Sequence, residues 1–147
     1  MPRYVLDSSV LLCAFLPDED GSDTAVKLLR LLITGDVAVL APRNMVYEFC
    51  GAMDKAVRRH RRDVGEAVKA IIDLLKLPVE YVEWEGMLTR TMELSVRYNK
   101  SWYDMCYFAV AERDHIPVCT ADRASVSGLP EDFPCEYVLL EDSLDTE

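Results

Sequence analysis

Long apolar runs are missing from this sequence: no stretch reaches the roughly 20 consecutive apolar residues that a membrane-spanning helix needs. The N-terminal segment MPRYVLDSS also lacks the apolar length of a secretory signal. We therefore expect a soluble, cytoplasmic protein that does not contact membranes. Half of the 147 residues are hydrophobic, which is enough for one core, so we expect a single domain over residues 1–147.

Cysteine and histidine motifs that bind metals are missing as well. The five cysteines form no CxxC pair, which argues against a zinc site, and most lie in apolar stretches typical of core residues. The sequence leaves open a disulfide, which intracellular proteins of hyperthermophiles do form. His60 and His115 lie in polar segments near predicted helix ends, so we expect both on the surface.

Positive charge is scarce, since the formal net charge is −10, and this argues against a nucleic-acid binder. The imbalance is local, because seven acids and no Lys or Arg follow Pro130, which leaves about −3 for residues 1–129. The segment 130–147 is either a solvated C-terminus or a region that repels substrate from one face. The only dense basic cluster is VRRHRR at 57–62, so the rest of the chain could still present a basic face.

Short β-rich runs alternate with segments of helical periodicity along the chain. Strands are predicted at RYVL, VAVLA, VEYVEW, IPVCTA and CEYVLLE. The predicted helices between them include a long one from Pro42 to about Arg62, and one from Trp102 to about Asp114 that Ser101 caps. This alternation predicts an α/β fold with a central parallel sheet of about four to five strands, covered by helices on both faces.

Four acids fall where a parallel α/β fold places its ligand site. Asp7 and Asp122 each follow a predicted strand. Asp104 lies in the first turn of one predicted helix, and Glu48 lies one turn into another. Because ligands bind at the carboxyl ends of parallel strands and near helix N-termini, we expect the four carboxylates to meet at one edge of the sheet.

Each acid also has a purely structural explanation. Asp7 and Asp122 could cap the helices that follow them, and the spacing of Ser101 and Asp104 is that of a capping box. Glu48 could be a solvated helix residue, but it lies beside an apolar stripe of its helix, where a carboxylate needs compensation for lost hydration. A divalent cation would provide that compensation and would relieve the repulsion among clustered carboxylates.

Such a cluster supports phosphodiester hydrolysis without a His or Cys nucleophile. A bound ion activates water and neutralises charge on the phosphate, and two ions can clamp both reacting oxygens. Oxygen ligands favour Mg²⁺ or Mn²⁺.

A phosphotransfer domain of haloacid-dehalogenase or receiver type also places Asp after its first strand. It is disfavoured, because Ser9 stands where the former needs a second acid and the acid and Lys pattern of the latter does not appear.

Four segments carry a family resemblance: YVLDSSVLL, VYEFCGAM, WYDMCYFAVAE and VCTADRA, in that order. With them the whole chain resembles PIN-domain (PilT N-terminus) proteins, particularly the short VapC-type toxins of toxin–antitoxin pairs. The resemblance implies a three-layer α/β/α PIN-like fold and a ribonuclease that depends on Mg²⁺ or Mn²⁺. It also implies a homodimer, and a VapB-type antitoxin that blocks the metal site and binds operator DNA.

The resemblance also implies roles for individual residues. Catalysis and metal binding would belong to four acids, which we call the quartet: Asp7, Glu48, Asp104 and Asp122. Supporting hydrogen bonds would come from Ser9 and Thr120. Gly51 replaces an Asn of many relatives, and Ser125 stands near a further acid of some, so the site could hold one ion or two.

Candidate RNA contacts are basic residues near the quartet in sequence or on the Glu48 helix: Arg43, Lys100, Arg123 and Arg58. For Arg58 the alternative is a cation that complements a helix C-terminus.

Two other functions of the protein stay open. One is a non-catalytic PIN-like module that binds protein or RNA, and the other is an RNA-processing nuclease without an antitoxin.

Overall fold

The computed structural model of the protein describes residues 1–144. Asp145 and Glu147 of the predicted acidic segment lie outside the described residues. Within residues 1–144 there are five strands: β1 (Arg3–Leu6), β2 (Ala38–Pro42), β3 (Val79–Val82), β4 (Val118–Thr120) and β5 (Tyr137–Leu139). The six α-helices of the same region are α1 (Ser8–Phe15), α2 (Ser22–Thr34), α3 (Asn44–Arg58), α4 (Val64–Lys76), α5 (Glu85–Tyr98) and α6 (Trp102–Asp114).

The strands form one parallel sheet in the order β3-β2-β1-β4-β5. In its centre Val5 of β1 stands opposite Leu40 of β2 on one side and Val118 of β4 on the other. The predicted three-layer α/β/α fold with a parallel sheet is thereby confirmed. Because β2 and β4 lie on opposite sides of β1, the strand order reverses between β1 and β4, and a crevice opens at the carboxyl ends of these two strands.

Helix α6 is the central helix of the core. Seven consecutive residues, Met105 to Ala111, are buried, as expected for a helix that is apolar on nearly all sides. It packs against β1, β2 and β4 on the sheet and against α5. Its first turn is therefore held firmly beside the crevice at the ends of β1 and β4.

Some predicted boundaries were wrong. Pro42 does not begin the long helix but ends β2, and α3 stops at Arg58, four residues before the predicted end. The backbone of His60 is left-handed, with φ of 58°, which breaks the helical path before Arg62. The last strand is shorter than the run CEYVLLE, because the chain turns into a 3₁₀-helix at Leu140–Asp142.

The remaining expectations concern side chains without a direct role in the site. All five cysteines are free thiols, and burial raises the pKa of Cys106 and of Cys119 to about 12. His60 and His115 are both exposed, next to the ends of α3 and α6. No helix among residues 1–144 has the length and apolar character needed to cross a membrane.

Candidate functional site

Asp7 stands at the carboxyl end of β1 and is 7% exposed. Its Oδ2 accepts hydrogen bonds from Thr120 Oγ1 at 2.6 Å and from Ser9 Oγ at 3.0 Å. Burial raises the pKa of Asp7, the two hydroxyls offset part of this rise, and the charge of Asp122 adds to it. The backbone N–H of Ser9, in the first turn of α1, also lowers the pKa of Asp7.

The two hydroxyls that hold Asp7 also join the ends of the strands. Thr120 Oγ1 accepts the backbone N–H of Asp122 at 3.0 Å, and Ser9 Oγ accepts that of Ala121 at 3.0 Å. Each hydroxyl therefore donates to Asp7 and accepts from the segment after β4. This arrangement fixes the orientation of the carboxylate and ties it to the backbone that carries Asp122.

Glu48 reaches the same crevice from the second turn of α3, where it is half-buried. Its carboxylate accepts hydrogen bonds from Ser8 Oγ at 3.2 Å, from Asn44 Nδ2 at 3.2 Å and from the hydroxyl of Tyr107. Burial raises the pKa of Glu48, the Tyr107 hydroxyl lowers it, and the charge of Asp7 raises it again. Burial also raises the pKa of Tyr107, so the phenol keeps the proton that it donates.

Asp104 lies in the first turn of α6 and is half-buried. Its backbone N–H donates to Ser101 Oγ at 3.2 Å, so Ser101 caps α6 as predicted. Burial raises the pKa of Asp104 to about 6, and the charges of the other three quartet acids contribute to the rise: Asp7, Asp122 and Glu48. The positive charge of Lys100 lowers the pKa of Asp104.

Asp122 is the exposed member of the quartet. Its Oδ1 accepts the backbone N–H of Ala124 at 3.0 Å and caps the 3₁₀-helix Arg123–Ser125. Asp122 therefore caps a helix, as its structural explanation requires, and this capping does not exclude a role in the quartet. Asp122 also acts electrostatically on both Asp7 and Asp104.

The structure thus brings the four acids, which are far apart in sequence, into one electrostatic group. Their oxygen donors have the chemistry that Mg²⁺ and Mn²⁺ prefer. As the side chains stand, however, no three His, Cys, Asp or Glu residues within 1–144 form an arrangement that could hold a metal ion. The carboxylate oxygens of the quartet fit a hard cation. To coordinate one, the carboxylates would have to move closer to each other.

The predicted RNA contacts all have partners within the protein. Arg43 pairs with Glu83, and Arg123 pairs with Glu141. Arg58 pairs with Asp54 through Nε at 2.9 Å, one turn back on α3. Lys100 Nζ donates to two backbone carbonyls of the segment after β4, those of Ala124 at 2.8 Å and Ser127 at 2.6 Å.

Sequence reasoning missed the partners of Glu48. Tyr107 is three residues after Asp104 on α6, so it faces the same side, and this spacing was the available signal. Asn44 is four residues before Glu48 on α3 and lies on its face for the same reason. Ser8 carried no signal beyond being next to Asp7.

The PIN domain family model matches residues 4–126. Among solved structures, PAE2754 from Pyrobaculum aerophilum is similar with 20% identity and a TM-score of 0.67, over 95% of this chain and 92% of that one. VapBC2 from Rickettsia felis, bound to a DNA fragment from its promoter, is similar with 13% identity and a TM-score of 0.65, over 93% and 98%. VapC20 from Mycobacterium tuberculosis, a sarcin–ricin loop cleaving toxin, is similar with 21% identity and a TM-score of 0.63, over 88% and 97%. Comparison with curated proteins finds no match. Because the family model spans most of the sequence, this chain belongs to the PIN domain family.

Proposed function

We propose that this protein is a metal-dependent endoribonuclease that hydrolyses phosphodiester bonds of RNA in the cytoplasm, as the toxin of a VapBC-type pair. The observation that carries the proposal is the electrostatic effect of the other three quartet acids on Asp104, at the crevice between β1 and β4. Burial and three negative charges raise the pKa of Asp104 to about 6. Carboxylates that crowd each other in this way are expected to bind a cation that cancels the repulsion.

The ion would be Mg²⁺ or Mn²⁺, one or two in number, held by the quartet residues Asp7, Glu48, Asp104 and Asp122. When bound, such an ion activates water and neutralises charge on the scissile phosphate. The protein's own contribution is to keep the ligands ionised and oriented. Thr120 and Ser9 do this for Asp7, since hydrogen bonds to a carboxylate favour its charged form.

The same support exists for Glu48 on the other side of the crevice. Tyr107, Asn44 and Ser8 all donate to its carboxylate. Supporting hydrogen bonds of this kind set the direction in which a ligand oxygen points and its basicity. Asp122 differs from these two acids, because its Oδ1 accepts a backbone N–H, that of Ala124, and only its other oxygen is available to an ion.

The direct test is cleavage of single-stranded and structured RNA by the purified protein with Mg²⁺ or Mn²⁺, followed by addition of EDTA. Cleavage should stop in EDTA and return with excess metal. Asp104→Asn should be inactive, and Asp114→Asn, at the far end of the same helix, should be active. Activity that persists in EDTA would contradict the proposed mechanism.

The antitoxin part of the proposal rests on family membership and needs its own test. A short protein encoded beside this one should copurify with it and should suppress its RNA cleavage. A nuclease that cleaves RNA but has no such neighbour would be an RNA-processing enzyme without an antitoxin. Failure of this part leaves the chemistry of the site unaffected.

The homodimer is also a proposal, and two helix faces could support it. Apolar side chains that are 47–74% exposed form a stripe on α4 (Val64, Val68, Ile72 and Leu75) and another on α5 (Leu88, Met92 and Val96). Exposed stripes of this kind mark interaction surfaces. Light scattering should give a dimer mass, and either Val68→Glu or Val96→Glu should produce monomers and so identify the face. A monomeric wild-type protein would contradict the dimer.

A non-catalytic PIN-like module that binds protein or RNA is the second candidate. It is favoured by the finding that no three acids within residues 1–144 are already arranged for an ion. Binding of RNA without turnover under varied divalent metals would support it and would contradict the nuclease.

A further inference from the structure

A cavity of about 510 Å³ lies in the groove between α1 and α3, next to Asp122 of the quartet. Ser9 and Asp122, which belong to the site, line it on one side. Its apolar wall comes mainly from α1 and the facing turns of α3: Leu12, Leu16, Ala52 and Ala56. The cavity lies within the range of about 300–1,000 Å³ that binding pockets occupy, so a group of the size of a nucleotide can enter it.

Two cations reach this cavity from the C-terminal end of α3, Lys55 in its last turn and Arg59 at its C-cap. Lys55 follows Glu48 by seven residues, so at about 100° per residue it points within roughly 20° of the direction of Glu48. At about 1.5 Å per residue the two cations stand roughly 10 Å and 16 Å further along the helix axis. Both line the cavity. Arg58, by contrast, points roughly 80° away from Glu48.

The side chains of Lys55 and Arg59 make no ion pair or hydrogen bond within residues 1–144, although the chain is strongly acidic. The neighbouring arginines do: Arg61 and Arg62 both pair with Asp18 at 2.8 Å, and Arg61 also pairs with Glu19. The positive charge that remains available near the site is therefore on the α3 wall of the cavity.

Acidic residues line the opposite wall, but none of them forms an ion pair with Lys55 or Arg59 within residues 1–144. Glu19 is already paired with Arg61, which leaves Asp20 as the acid of that wall outside the quartet. Lys55 and Arg59 thus form a positive edge beside a negative quartet. A polyanion anchored on that edge could bring one phosphate to the carboxylates only if the charge there were compensated, as a metal ion would do.

We propose that Lys55 and Arg59 form a phosphate-binding subsite in the groove between α1 and α3, which holds the RNA backbone next to the scissile phosphate. This inference rests on the proposed ribonuclease function and deepens it, because it assigns the path of the substrate away from the quartet. The contacts are to phosphate, so the subsite contributes affinity and positioning without base specificity. The adjacent apolar wall offers a surface for the ribose or base of the same nucleotide.

The test compares two double variants that each remove two positive charges. Lys55→Gln/Arg59→Gln alters the subsite, and Lys27→Gln/Arg30→Gln alters exposed cations of α2 that do not line the cavity. Cleavage of a labelled RNA oligonucleotide is measured with Mn²⁺ over a series of salt concentrations. Binding of the same RNA is measured separately by fluorescence anisotropy in the Asp104→Asn background. Thermal unfolding of every variant shows whether it folds.

The subsite variant should raise KM about 10-fold or more with kcat nearly unchanged, and should weaken RNA binding to a similar degree. Its slope of log affinity against log salt should shrink by about 1.4, since each phosphate contact on a single strand contributes about 0.7. Identical KM, affinity and salt slope in the two double variants would overturn the subsite while leaving the nuclease intact. If the wild type does not cleave RNA, the proposed function fails, and the binding measurement decides the subsite by itself. If the two double variants bind RNA equally, but an acidic peptide binds tightly and only Lys55→Gln/Arg59→Gln weakens that binding, the groove is assigned to a protein partner.

Discussion

Tyr107 of α6 donates its phenolic hydrogen to the Glu48 carboxylate of α3, across 59 positions of sequence. The phenol is almost completely buried, and burial raises its pKa, so it stays protonated and can donate at physiological pH. This hydrogen bond lowers the pKa of Glu48 against the opposing effect of burial. A core residue of the central helix therefore favours the charged form of a half-buried acid, against the larger effect of burial.

The first prediction concerns that hydrogen bond. Tyr107→Phe should reduce RNA cleavage by about 10–100-fold at limiting Mn²⁺, the usual cost of removing a partner that orients a metal ligand. The Mn²⁺ concentration for half-maximal rate should rise, because Glu48 loses a bond that favours its charged form. Tyr137→Phe on β5 is the matched control, since its ring is 41% exposed, and it should behave as wild type. Equal metal dependence in both variants would contradict the role of Tyr107.

The second prediction concerns Asp7. Asp7→Asn should lower the cleavage rate by at least about 10²-fold, the scale on which one well-placed group in a site acts. Its stability should stay the same or rise, because burial opposes the charged form of Asp7 and an Asn oxygen can still accept from Thr120 and Ser9. Cleavage rates and urea unfolding provide both readouts. An active Asp7→Asn protein would remove Asp7 from the catalytic assignment, and an unfolded one would assign it to stability.

The third prediction uses the pKa of Asp104, which lies at about 6 in the folded protein against 3.8 for an ordinary Asp. Because the folded state binds this proton more tightly, the metal-free protein should lose stability as pH rises from about 4 through 6. Asp104→Asn should remove this loss and be more stable than wild type at pH 7 in EDTA, by about 1–2 kcal/mol after allowance for solvent screening. Urea unfolding at pH 4 and pH 7 measures the difference. A difference that does not change with pH would contradict the raised pKa.

Mn²⁺ should reverse that order of stability. An ion that binds only the folded state stabilises it by mass action. The unfolding temperature of the wild type should therefore rise with Mn²⁺ at pH 7, whereas that of Asp104→Asn should change little. Equal shifts for both proteins would show that Mn²⁺ binds elsewhere.

The sequence was sufficient for the fold and for the placement of Asp7 and Asp122 at one edge of the sheet. A parallel sheet brings the ends of neighbouring strands to one edge, so Asp7 after β1 and Asp122 after β4 had to be close once the sheet was predicted. Asp104 could be placed because Ser101 gave a strong helix start. The catalytic and metal-binding roles of these acids stay predictions.

The pairing of the cations could not be read from sequence. Arg43 with Glu83 and Arg123 with Glu141 are contacts between segments whose distance depends on the packed fold. Helical phase, in contrast, can be read from the sequence, and it places Lys55 rather than Arg58 on the Glu48 face of α3. Pro42 was assigned to a helix start, which proline also favours, but it occupies the last position of β2.

The last prediction separates two roles for Lys100. Its ammonium holds the carbonyls of Ala124 and Ser127, next to the cap formed by Asp122, and its charge lowers the pKa of Asp104. If Lys100 positions this segment, Lys100→Met should lower kcat and move the acid limb of the pH–rate profile to higher pH, with KM and its salt dependence unchanged. If Lys100 contacts RNA, as the sequence suggested, KM should rise instead, and the salt slope should shrink by about 0.7. Lys27→Met on α2 controls for the loss of one positive charge and should alter neither quantity. We expect the kcat effect, because an ammonium that already serves two carbonyls has at most one hydrogen left for a phosphate.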